Sequence, residues 1–156
     1  MITYLNKNHK NDEKYIAYWN DTKWLVLSSF FFIIPATYAF INNLYYYSTL
    51  LFFTSLISAN YWRKATYSWR RNMDLIFAKF SFIIFTTNGI FYIRTLYYVI
   101  LAYTSLIFLL YFYYLSGKLL KLKKNNWYKY HFFFHFIMTF ELFIIIDSTL
   151  KNKNLK

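Results

Sequence analysis

The chain has no cysteine, one proline, two glycines and only six acidic residues among its 156. Without cysteine there can be no disulfide, no thiolate metal ligand and no thiol nucleophile. So few glycines and prolines leave no paired broken half-helices of the kind that build transporter and channel sites. They also argue against GxxxG-type close packing of helices. The shortage of acid leaves a net charge of +12. In a soluble domain such an excess suggests nucleic acid. Here the charges are confined to short islands that flank long apolar runs, so they point to anionic headgroups and to topology, not to nucleic acid.

What is abundant is apolar and aromatic: 58% hydrophobic and 27% Phe, Trp or Tyr. The bias to Phe, Tyr, Ile, Asn and Lys matches AT-rich codons and suggests an AT-rich genome, such as that of a large DNA virus, a protist organelle or a parasite.

A spanning helix needs about 20 mostly apolar residues. Five runs approach that: Trp24 to Ile41, Leu44 to Asn60, Asp74 to Tyr92, Thr95 to Ser116 and Tyr130 to Ile146. The expected fold is an all-α polytopic transmembrane bundle of about five spans over residues 24–147. Residues 1–23 form a polar segment too charged for a signal peptide, and residues 148–156 a disordered tail. Pro35 is tolerable inside the first span if neighbouring helices or Ser/Thr groups satisfy the freed carbonyl. Only Asn42 and Asn43 separate the first two spans, which predicts a tight antiparallel hairpin.

Five spans sort the cations strongly. One side receives Lys7, Lys10, Lys14, Lys23, Arg63, Lys64, Arg70, Arg71, Lys118, Lys121, Lys123, Lys124 and Lys129. The other receives Arg94, Lys151, Lys153 and Lys156. The positive-inside rule then puts the N-terminus inside and the C-terminus outside. Trp and Tyr gather near the ends of the spans, where amphipathic rings sit between lipid and headgroup.

On this topology Ser58, Asp74, His131 and His135 fall at similar depth in the inner leaflet, on three helices. His131 and His135, in "YKYHFFFHFIMTF", are four residues apart and share a helix face. Two such imidazoles can chelate zinc, with Asp or water completing the shell. They can equally be interfacial side chains facing water or headgroups. Ser58 and Asp74 can hold a substrate carbonyl or a metal-bound water. Alternatively, Ser58 bonds its own helix backbone and Asp74 caps its helix and complements the dipole. Lys79 and Glu141 lie deeper. Lys79 can snorkel. Glu141 is costly unless it faces the interior, is protonated or pairs, with Lys79 a candidate partner. Six residues rotate a helix by about 240°, which takes Glu141 off the face of His135. The island "YWRKATYSWRRNMD" is a topology determinant and interfacial anchor, or a clamp in which Arg63, Arg70 and Arg71 hold an anionic lipid headgroup.

A serine late in one span, an aspartate in the next and "HFFFHF" in the last resemble the CREST superfamily of membrane hydrolases, which includes alkaline ceramidases and adiponectin-receptor-like proteins. The resemblance implies seven spans, an intramembrane zinc bound by three histidines, and amide hydrolysis of a sphingolipid-like substrate. His131 and His135 match the paired ligands, and Ser58 and Asp74 match the serine and aspartate. The third histidine's position is Trp62, in "SANYW", and the remaining histidine, His9, sits in the polar N-terminal segment. The "SANYWR…WRRNMD" stretch also resembles segments of small membrane proteins of giant DNA viruses. An incomplete ligand set on a five-span chain favours a non-catalytic structural or accessory subunit, in contact with lipids and other membrane subunits. A zinc-dependent intramembrane lipid amidase is the alternative.

Overall fold

The computed structural model describes residues 15–154, and the calls on His9, Lys7, Lys10, Lys14 and Lys156 lie outside them. Five long helices run alternately up and down. Helix α1 covers Trp19–Ile41, α2 Tyr45–Arg63, α3 Trp69–Tyr92, α4 Leu96–Lys121 and α5 Trp127–Asn154. The only strand-like pairing among the described residues is a bridge between Tyr15 and Thr66. The chain is therefore an all-α, multi-pass membrane protein.

Four helices are long and apolar enough to cross a membrane: α1, α3, α4 and α5. The fifth expected span, α2, has 19 residues, about 28 Å at 1.5 Å per residue, but more Tyr, Ser, Thr and Asn. Its position explains the composition. It packs on both α1 and α3, and Leu51, Thr54, Ser55, Ser58, Ala59, Tyr61 and Trp62 are all buried. Hydroxyls that would be costly against lipid face protein here.

The connections follow local chemistry. Asn43 takes φ 59°, a left-handed conformation that Asn tolerates better than most residues. It closes α1 with Leu44 N–H bonded to Ala39 O at 2.9 Å, so the expected hairpin forms. Lys123, φ 53°, does the same after α4, with Lys124 N–H on Leu119 O at 3.0 Å. Pro35 removes the amide that would reach Phe31, and the turn just before it, Phe30–Phe32, tightens to a 3-10 helix. Ser55 on α2 donates to Ser29 O at 2.9 Å beside that turn.

Several boundaries differ from the sequence expectation. Helix α1 starts at Trp19 within the polar segment, because Asp21 in its first turn suits the dipole and bonds the Trp127 indole. Helix α3 starts at Trp69, after Ser68, so Asp74 lies in its second turn and is not its cap. Helix α5 continues to Asn154 through the segment expected to be disordered. Its last turns are tied down: Ser148 and Thr149 are buried, Lys151 pairs with Asp147 at 2.9 Å, and Asn152 bonds Tyr92 O at 2.6 Å.

Two apolar clusters form the core. One gathers Phe32, Ala36, Leu51, Phe85, Leu142 and Ile146. The other, at the end rich in Lys and Arg, gathers Leu25, Tyr61, Trp62 and Trp127. A polar layer also runs through the bundle, with members on all five helices.

Candidate functional site

The polar layer is built by small hydroxyls on one helix meeting imidazole or carboxyl groups on the next. Ser28 and Ser29 sit on successive faces of α1 and are both fully buried. The Ser28 hydroxyl lies 2.8 Å from His135 Nδ1, joining α1 to α5. Ser29 donates to Ser58 Oγ at 3.1 Å, joining α1 to α2. The Ser58 hydroxyl also lies beside the Asp74 carboxyl, and Thr54 meets Ser81 at 2.8 Å; both contacts join α2 to α3. Ser116 lies 3.0 Å from His131 Nδ1, joining α4 to α5. Each of the five helices thus holds at least one polar contact with a neighbour in this layer.

The two histidines are adjacent, with ring centroids 4.9 Å apart. His135 is 3% exposed, which corrects the reading of it as an interfacial side chain facing water or headgroups. Its ring packs at a tilt against Phe32, centroids 5.2 Å apart. His131 meets Trp62 edge-on at 4.9 Å. Both Nδ1 atoms are engaged by serine.

Zinc can be tested against this donor set. A catalytic zinc takes three protein ligands and one open position. His131 and His135 are two. Among the described residues no group of three His, Cys, Asp or Glu could hold a metal ion. The ring beside His131 is Trp62, whose indole N–H is a donor and cannot ligate. That N–H is buried and meets no acceptor among the described residues. Asp74 belongs to the α2–α3 contact through Ser58. The described residues therefore do not complete a catalytic zinc site.

The other sequence-predicted residues separate. Arg63, Arg70 and Arg71 share the basic end of the bundle. Arg63 reaches Asn60 at 3.5 Å. The Arg71 guanidinium lies 5.2 Å over the Tyr67 ring, and Arg70 is half-buried. Glu141 takes Ser105 on α4 as its hydrogen-bond partner, not Lys79, which is exposed on α3.

Sequence reasoning missed Ser28, Ser29 and Ser116, since a serine in an apolar run usually bonds its own backbone. The adjacent "SS" in the first span was the available signal. It also missed the opposite end, where Asp147 accepts from Tyr98 at 2.5 Å and from Tyr38 at 3.2 Å. Comparison with known proteins adds nothing to this geometry: no family model, no curated protein and no solved structure matches the chain.

Proposed function

We propose that this chain is a non-catalytic integral membrane protein, a structural or accessory subunit of a larger membrane assembly. One observation carries the reading. The polar side chains that could do chemistry are spent on contacts between helices, and the ring beside His131 is Trp62, which cannot supply a third metal ligand. Interhelical hydrogen bonds of this kind hold transmembrane bundles together. A bundle held this way can present large outer faces to partners. Helix α3 is suited to that, since only 11% of its most apolar stretch is buried. Its outer face shows Ile76, Phe80, Ile83, Ile90 and Phe91.

The basic end faces the inside in this proposal, with the C-terminus outside, as the distribution of Lys and Arg favours. Arg63, Arg70 and Arg71 contact anionic headgroups there as separate interfacial anchors. The competing activity, a zinc-dependent lipid amidase, needs a third protein ligand that the described residues do not supply.

Elemental analysis of detergent-purified protein tests this reading, beside a His131→Ala/His135→Ala variant. The expected result is no stoichiometric metal in either. Mild solubilisation from the native membrane should release the chain in a particle larger than the monomer. Near-stoichiometric zinc that vanishes in the variant would overturn the proposal in favour of the amidase.

A further inference from the structure

Helices α3 and α4 are consecutive in the chain yet scarcely touch each other. Both lean on α5, and a cleft of about 250 Å³ opens between them with α5 as its floor. Its lining is almost wholly apolar, with aromatic rings from Phe82, Phe85 and Tyr103. Among the lining residues Glu141 is the one acidic or basic side chain.

Glu141 stands fourteen residues after Trp127 in a helix of 28, which is mid-span. A side chain of this kind at that depth is expensive as a carboxylate unless it takes up a proton, or a cation or enough donors meet it. Its one hydrogen bond among the described residues comes from Ser105. That hydroxyl has one proton, and it also lies 2.8 Å from Leu101 O and 3.1 Å from Ala102 O. The donor is shared among three acceptors, so the carboxylate is poorly served. Among the described residues no Lys or Arg lines the cleft.

We propose that this cleft binds a lipophilic monocation taken from the bilayer, with Glu141 as its counter-ion. A neutral lipid tail would fill the space and leave the carboxylate uncompensated. A hydrophilic amine would stay with the headgroups. Mid-span depth selects a cation whose charge lies beneath an apolar shell. Aromatic walls suit such a cation, since ring faces attract positive charge. The cleft, at about 250 Å³, is a little smaller than a drug-sized ligand pocket of roughly 300 Å³ or more, and its open side lets larger substituents rest in lipid. The inference is independent of the subunit reading.

The probe is methyltriphenylphosphonium, with 1,1,1-triphenylethane as its uncharged isostere. The full chain in lipid nanodiscs is dialysed against the phosphonium, and retention is followed by phosphorus NMR. Saturable binding of about one cation per chain is expected, weakened about tenfold or more in Glu141→Gln and not displaced by triphenylethane. Ser105→Ala keeps the carboxylate and should bind at least as well as the parent. Equal retention by the parent and Glu141→Gln would overturn the proposal, as would displacement by the neutral isostere. So would a dimer lost in both Glu141→Gln and Lys79→Gln, which would assign the carboxylate to Lys79 of a second copy. Should Glu141→Gln fail to fold, competition between the charged and neutral probes on the parent chain still decides.

Discussion

Pairing Ser28→Ala with His135→Phe tests directly whether the histidines are structural. His135→Phe keeps the ring that packs on Phe32 and His131 and removes both nitrogens. Ser28→Ala removes the hydroxyl 2.8 Å from Nδ1. It does not orphan the Leu25 carbonyl, because the Ser29 hydroxyl, shared with Ser58, also reaches it at 2.7 Å. Ser28→Ala does leave a buried imidazole nitrogen without its partner, which costs about 1–3 kcal/mol. His135→Phe leaves Ser28 its bond to Leu25 O at 3.2 Å, so it should cost less. In the double variant neither orphan remains. The cycle isolates the pairwise term, which averages about 0.6 kcal/mol and reaches about 1.7 kcal/mol between transmembrane helices. Reversible unfolding in bicelles or mixed detergent micelles measures it, with and without a chelator. A coupling of that size, unaffected by chelator, is expected. A coupling indistinguishable from zero would refute the bridging role. A parent chain that loses several kcal/mol to chelator would refute the metal-free reading, because a structural zinc is worth about 10 kcal/mol or more.

Other substitutions probe the rest of the argument. Trp62→His puts a third imidazole beside His131, and should confer zinc binding, by elemental analysis, that the parent lacks. Leu142, 2% exposed in the main cluster, should cost about 2–5 kcal/mol on truncation to Ala in the same unfolding assay. Gly89→Ala should change stability by less than about 1 kcal/mol, because its added carbon meets Ile145 and Ile93 no closer than 3.6 Å. Asn43→Val should cost about 1–2 kcal/mol at the left-handed turn, whereas Asn43→Gly should leave the unfolding midpoint nearly unchanged.

The sequence by itself determined the class of this protein. Apolar runs of spanning length, cations sorted to alternate flanks and a two-asparagine turn each follow from local composition, and the bundle and first hairpin are legible from them. It also pointed to Ser58, Asp74, His131 and His135 as sharing one depth, because topology alone fixes height along the bundle. Only the tertiary structure decided which of these touch. Rotation about each helix axis is set by packing, so equal depth did not make His131, His135 and Asp74 one ligand shell. The histidines turned toward Ser116 and Ser28, while Asp74 turned toward Ser58. The same packing explains why α2 carries hydroxyls that its hydropathy seemed to disfavour. It also explains why Glu141 lines an open cleft with Ser105 and does not meet Lys79. Those outcomes depend on which faces of non-adjacent helices meet, and no local pattern in the chain encodes that.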